Sequence, residues 1–332
     1  MAKNLVICKK VPEAILDELE SQYQVSYYPD GEELENPDFL KRLAEADGLL
    51  GPKKADQHLL KKAPQLKIVS NISVGYNNLD IETLTKRGIM ATNTPDVLND
   101  TTADTMFAIL MAAARRVSEL DRFVKDGKWV KHITEELFGI DVHHKTIGII
   151  GMGRIGEAIA KRARFGFDMN VLYYNRNRKR EAEEKYGAAY CTLDDLLMQS
   201  DFVVLMTPLT KETEGFIGLR EFSLMKKSAI FVNGSRGETV IEEDLVEALR
   251  QGLIRGAALD VYAKEPVASD HPLLSFENVV TVPHIGSATK ETRDKMAELA
   301  AENIRSGLEG KIPPNLINQE VLAPEYSPKN QK

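Results

Sequence analysis

The stretch "TIGIIGMGRIGEAIAKRA", residues 146–163, restricts the fold more than any other. An apolar β-type run enters Gly151, Gly153 and Gly156 directly, spaced G-x-G-x-x-G, and a helix-type run follows at once. That order is the strand–turn–helix opening of a dinucleotide-binding βαβ unit. The first glycine permits a tight turn, the second lets a pyrophosphate approach the backbone, and the third lets helix and strand pack closely. The free N–H groups of the helix start, with the positive end of its dipole, then face the phosphates. Gly151, Gly153, Arg154, Ile155 and Gly156 are therefore expected at a bound dinucleotide.

The rest of the chain agrees with a parallel α/β architecture. Ahead of the glycines, "LVICK", "VSYYP", "GLLG", "LKIVSN" and "IMATN" alternate with amphipathic segments such as "VPEAILDELESQY" and "NPDFLKRLAEA". After them come "VLYYN", "AAYC", "DFVVLMTP", "SAIFVNGS", "GAALDV" and "NVVTVPHI". Continuous apolar strands separated by helices predict parallel sheets covered on both faces. Residues 100–125 read as one long helix joining two such units, "WVKHITEELFGIDVHHK" as an irregular excursion, and "TKETRDKMAELAAENIRSGLEG" as a closing helix. The Pro- and Asn-rich tail beyond it is expected to drape over a surface.

In an NAD-binding unit an acid is expected about 20 residues past the last glycine, to hold the ribose 2′-hydroxyl. Here that position is Asn175, at the end of "VLYYN", followed by Arg176, Arg178, Lys179 and Arg180. No carboxylate stands there to repel a 2′-phosphate, and arginine forks match phosphate oxygens. Asn175, Arg176 and Arg178 thus point to NADP(H) in preference to NAD(H), which stays possible. The competing reading is a solvated basic helix start balanced by Glu181, Glu183 and Glu184.

Three further segments close strands of the second unit. "FVNGSRGETV" carries Arg236, "LDVYAKEP" carries Asp260 and Glu265, and "TVPHIGSAT" carries His284. Ligands collect outside the carboxyl ends of parallel strands, so an arginine, an acid and a histidine at three such ends are expected to face one pocket.

Together, "GMGRIGEAIAKRA", "VNGSRG", "ALDVYAKEP" and "VPHIGSAT", with "SNISVGYNNLD" and "TPDVLNDTTADTMFAILMAAARR" in the first unit, resemble the D-isomer-specific 2-hydroxyacid dehydrogenase family over nearly the whole chain. Within the family, "GIDVHHKTIGIIGMGRIG" and "SVGYNNLD" look like bacterial glyoxylate/hydroxypyruvate (2-ketogluconate) reductases. The resemblance implies two Rossmann-like or flavodoxin-like doubly wound domains with the active site in the cleft between them. Residues 1–99 with 290–332 would bind substrate, and residues 100–289 the dinucleotide. It implies that Arg236 clamps the substrate carboxylate, His284 protonates the ketone oxygen, and Glu265 orients the imidazole. It places the backbone N–H groups of Val74 and Gly75 at the substrate carboxylate. It further implies cofactor contacts for Thr102, Thr207, Pro208, Gly234, Ser235, Asp260 (at the carboxamide) and Gly286. The family is typically dimeric, and the segment around Trp129 would take part. Other 2-hydroxyacid dehydrogenases, among them the 3-phosphoglycerate enzymes, and dinucleotide-sensing corepressors are the rival readings.

Composition excludes other classes. A net charge of −7 gives no general attraction for nucleic acid or anionic membrane. The longest oily patch, "MFAILMAAA", is far short of a span, and the N-terminus has too short an apolar run for a signal peptide. Two cysteines, Cys8 and Cys191, make no disulfide framework, so a cytosolic setting is expected. No close His/Cys set predicts a metal, and His143-His144 reads as packing or a dimer contact.

Overall fold

A computed structural model describes residues 2–31 and 34–323. The chain divides into two compact units, one made of residues 1–98 and 289–332, the other of residues 99–288.

In the first unit, five strands alternate with four helices: β1 Asn4–Ile7, α1 Glu13–Gln22, β2 Gln24–Tyr27, α2 Pro37–Ala44, β3 Gly48–Leu50, α3 Gln57–Lys61, β4 Ile68–Ser70, α4 Ile81–Lys86 and β5 Met90–Thr92. All strand pairs are parallel, in the order β2-β1-β3-β4-β5, the flavodoxin-like arrangement. β3 and β4 are buried throughout, as a sheet covered on both faces requires. One cover is the closing helix, Lys290–Leu308, which buries Met296, Ala297, Ala300, Ala301, Ile304 and Leu308. The Ser70 hydroxyl donates to the Ala300 carbonyl at 3.0 Å. The tail then runs along β5, where the Asn318 side chain accepts from the Ala91 amide at 2.8 Å; its last residues, 324–332, lie outside the described residues.

The second unit opens with two helices, α5 Asn99–Ala114 and α6 Val117–Lys125. The single helix expected over residues 100–125 is thus broken. Arg116 takes a left-handed φ of 58°, and the returning chain ends α5 when the Ile140 amide donates to the Ala114 carbonyl at 2.9 Å. The Arg116 guanidinium holds the corner, bonding Glu119 (Nε–Oε2 2.8 Å) and the Glu136 carbonyl. α5 is buried along much of its length, whereas α6 has no buried residue.

The alternation then resumes as β6 Thr146–Ile150, α7 Arg154–Phe167, β7 Asn170–Tyr174, α8 Arg180–Tyr186, β8 Ala189–Tyr190, α9 Leu193–Gln199, β9 Phe202–Leu205, α10 Leu219–Leu224, β10 Ile230–Asn233, α11 Glu242–Arg250, β11 Gly256–Leu259 and β12 Val279–Thr281. These seven strands form one parallel sheet in the order β12-β11-β10-β9-β6-β7-β8. Successive residues of β9 feed opposite faces: Phe202 and Val204 pack with α5 and α7, Val203 and Leu205 with α9, α10 and α11. Each such fully buried side chain contributes on the order of 1.5–3 kcal/mol relative to exposure. The strand order reverses between β6 and β9, the switch point outside which a doubly wound sheet opens a crevice.

Candidate active site

The glycine loop sits at that switch point. Gly151 has φ +105°, and a Cβ there would lie 2.7 Å from the Met206 carbonyl at the end of β9, so only glycine fits this turn. A Cβ on Gly156 would lie 2.3 Å from the Gly151 carbonyl oxygen, while one on Gly153 would meet nothing within 4 Å. Open space therefore lies over Gly153, the N-cap of α7. The cradle fits a dinucleotide pyrophosphate. Arg154 opens the helix on its exposed side, and Ile155 packs against the apolar core. The Thr207 hydroxyl is buried with no hydrogen-bond partner among the described residues, and the next carbonyl, of Pro208, accepts from the Thr213 hydroxyl at 2.6 Å. A Cβ on Gly234 would overlap the Met106 sulfur at 2.1 Å. The Ser235 hydroxyl turns inward to Asn233 Oδ1 at 2.8 Å and to Thr239 at 3.0 Å. Its side chain thus bonds within its own turn.

At the end of β7 the two arginines part company. Asn175 closes a turn through its amide, bonded to the Asn177 carbonyl at 2.8 Å. Arg178 lays its fork on Glu183, Nε–Oε1 and Nη2–Oε2 both 2.8 Å, and the same carboxylate accepts from the Tyr173 hydroxyl at 2.7 Å. Arg178 and Tyr173 hold the Glu183 carboxyl down to about 2. Arg178 is thus paired with the first turn of α8. Arg176 is exposed and forms no ion pair among the described residues.

The three strand-end segments meet within the second unit. His284 Nδ1 lies 2.7 Å from Glu265 Oε2, and Glu265 Oε1 accepts from the Tyr262 amide at 3.0 Å. Burial alone would raise the Glu265 carboxyl; the bonds from His284 and Tyr262, with the charge of Arg236, bring it below the ordinary value. Arg236 is largely desolvated, which pushes its guanidinium down against the pull of Glu265 and Glu238; its Nη1 donates to the Ser235 carbonyl at 2.7 Å. His284 itself adopts φ 52°, a conformation costing on the order of 1–3 kcal/mol that persists where the surroundings over-determine it. Asp260 supplies part of that restraint. It is 2% exposed, and its two oxygens accept from the amides of Ile285 and Gly286 at 2.6 and 2.9 Å. Burial raises its carboxyl, and these two bonds work against the rise. A Cβ on Gly286 would sit 3.0 Å from Asp260 Oδ2 and 3.3 Å from Thr102 Cγ2, so Thr102, Asp260 and Gly286 form one cluster beside the histidine loop. A separate hollow of about 500 Å³ lies among Ile230, Gly256, Asn278 and Val280, at the amino ends of β10–β12 and away from this chemistry.

In the first unit, the loop after β4 is held by its carbonyls. Val74 accepts from the Asn93 side chain at 2.8 Å, and Gly75 from Asn71 and Ser73, both at 2.9 Å. The amides of Val74 and Gly75 donate to no group among the described residues. The roles of Asn71, Ser73 and Asn93 as braces were missed in the sequence, although the Asn/Ser density of "SNISVGYNN" marks the first two. Tyr262 was passed over too, between the two acids of "LDVYAKEP". His143 and His144 are exposed, their Nδ1 atoms 2.7 Å apart, and do not pack in the core.

Residues 107–286 match the model of the D-isomer specific 2-hydroxyacid dehydrogenase NAD-binding domain. A glyoxylate/hydroxypyruvate reductase B of Yersinia pestis is 47% identical over 324 residues, 97% of this chain and 99% of that one. The chain belongs to this family. Among solved structures, a Thermus thermophilus protein is 41% identical with a TM-score of 0.86, the match covering 94% of this chain and 99% of that one. An NADPH-dependent glyoxylate/hydroxypyruvate reductase of Sinorhizobium meliloti, crystallised with NADP and malonate, is 29% identical with a TM-score of 0.86 over 97% of this chain and 98% of that one. As a family member the chain is an oxidoreductase using a nicotinamide dinucleotide. Among the described residues, no group of three His, Cys, Asp or Glu could hold a metal, and no helix is long and apolar enough to cross a membrane.

Proposed function

We propose that the chain reduces small 2-keto acids, namely hydroxypyruvate, glyoxylate and 2-keto-D-gluconate, to D-2-hydroxy acids, with NADPH preferred over NADH. The observation that carries this reading is the 2.7 Å contact between Glu265 and His284 Nδ1, in the unit that also holds the desolvated Arg236. Bound dinucleotide supplies the hydride. Gly151, Gly153 and Gly156 would hold its pyrophosphate, Arg176 its 2′-phosphate, and Thr102, Thr207, Asp260 and Gly286 the nicotinamide end. Arg236 takes the substrate carboxylate and draws electron density from the adjacent ketone; a buried guanidinium does this strongly because little water screens it. The amides of Val74 and Gly75 are the second carboxylate contact. His284 Nε2, the ring nitrogen left by Glu265, gives its proton to the ketone oxygen, and Glu265 fixes the ring's orientation for that transfer. In the oxidative direction the same nitrogen takes the alcohol proton.

The names of the Yersinia and Sinorhizobium relatives support the substrate class and, for the latter, the cofactor. Residues 1–98 with 289–332 are proposed as the substrate unit and 99–288 as the dinucleotide unit. A homodimer is proposed on the run of exposed apolar side chains at Trp129, Val130, Ile133 and Phe138, since a contiguous patch of this kind marks an interaction surface. The cytoplasm is proposed as its compartment, in keeping with two free cysteines.

The test is kcat/KM over a keto-acid panel with both reduced cofactors. Higher values with NADPH are expected; equal values remove the preference. Absence of turnover with every acid removes the reductase reading in favour of a dinucleotide-sensing binding role, and turnover confined to a phosphorylated three-carbon acid favours the rival dehydrogenase. His284→Gln should lower kcat by roughly 10²–10⁴-fold while dinucleotide binding survives; near-normal turnover refutes the histidine's role.

A further inference from the structure

The strand ends that carry Arg236, Glu265 and His284 converge on a residue with no assigned role. We propose that Tyr262 is a positioning residue for the proton-transfer pair, resting on the reductase reading above. Its side chain is 5% exposed. Its hydroxyl donates to the Val282 carbonyl at 3.2 Å and lies 3.4 Å from the Leu259 carbonyl, so one phenol ties the end of β11 to the end of β12. Leu259 also accepts from the Val282 amide at 3.0 Å, and Val282 from the His284 amide at 3.1 Å. The phenol therefore braces the peptide from which the histidine, with its left-handed backbone, departs. The Tyr262 amide reaches the other partner directly, donating to Glu265 Oε1 at 3.0 Å. Gly237, next to Arg236, lies against the same peptide: a Cβ there would fall 1.8 Å from the Tyr262 carbonyl carbon. One residue thus contacts the supports of all three groups. Its phenol bonds the carbonyls of Val282 and Leu259 and its amide Glu265, so its action is on the distance and angle of the pair. Burial pushes the phenol's pKa up to about 12, so it stays a donor well into alkaline pH.

Removing the hydroxyl leaves the ring in place and takes from the Val282 carbonyl one of its two donors, the His284 amide remaining. With freed register, Glu265 and His284 spend less time at bonding distance, and the proton step suffers before binding does. The test compares wild type with Tyr262→Phe in hydroxypyruvate reduction, after thermal melting and dinucleotide titration show both folded and loaded. Wild-type turnover comes first, and its absence condemns the reductase reading alone. Given that turnover, Tyr262→Phe is expected to lose roughly tenfold in kcat, about 1.4 kcal/mol, with KM for NADPH unchanged. Unchanged kcat, or a loss confined to melting temperature, overturns the proposal. Should Tyr262→Phe not fold, 3-fluorotyrosine at position 262 keeps a hydroxyl but makes it a stronger donor; kcat is then expected to change with KM for NADPH unchanged, and an unchanged kcat overturns the proposal equally.

Discussion

Glu265 and Arg176 illustrate how far a residue's neighbours decide its chemistry. Glu265 is partly buried yet held below the ordinary carboxylate value, because His284, the Tyr262 amide and Arg236 outweigh desolvation. It therefore stays charged down to more acid pH than a free glutamate, and the stability it gives is present above the unfolded value and lost as pH falls through the lower, folded one. Glu265→Gln removes the charged partner of the His284 ring. Its kcat is expected to fall at least tenfold, with KM for NADPH unchanged, in stopped-flow assays; a wild-type kcat refutes the coupling. Arg176 and Arg178 looked equivalent in the sequence, as two bases flanking a missing acid. Their difference was illegible because Glu183 is brought to Arg178 by the first turn of α8, a matter of side-chain direction rather than spacing. Arg176→Ala should accordingly raise KM for NADPH about tenfold or more, a charge-assisted contact being worth roughly 1.5–3 kcal/mol, with little effect on NADH. Arg178→Ala should change both cofactors alike and by less. Since Arg176 is exposed, the NADPH preference should also shrink between low and high salt.

At the scale of elements, the alternation of apolar strands and amphipathic helices carried the doubly wound class and the place of the glycine loop, because period and glycine spacing are local properties. The corner after α5 was not legible. Nothing within residues 100–125 ends a helix; the stop comes from Gly139 and Ile140, which dock on the Ala114 carbonyl from later in the chain. The strand-end groups Arg236, Glu265 and His284 were readable from their segments, whereas the Asp260 bonds to Ile285 and Gly286 required the register of β11 beside β12. Beyond the corner, α6 and the following arm expose Val117, Val124, Trp129 and Val130, the last at 83%. Trp129→Asp is expected to convert a dimer to a monomer in light scattering without altering the far-ultraviolet helix signal; a monomeric wild type would remove the arm from consideration.

For the molecule as a whole, the decisive feature is that residues 99–288 interrupt the other unit, whose sheet takes its cover from the helix Lys290–Leu308. A ribosome delivers that helix only after the inserted unit. The amino-terminal ninety-eight residues emerge early and can cover one face of β3 and β4 with α2 and α3, but have nothing to lay over the other face until the inserted unit has been synthesised. Domains generally fold as they appear, so the order of maturation should run against the order of sequence. Nascent chains arrested just after residue 288 has left the exit tunnel are expected to yield a protease-resistant core from residues 99–288 and a digestible leading end, and the leading end should become resistant only once the helix Lys290–Leu308 has emerged. The glycine cradle would then be finished while the earlier-made part of the enzyme was still waiting on its later-made helix.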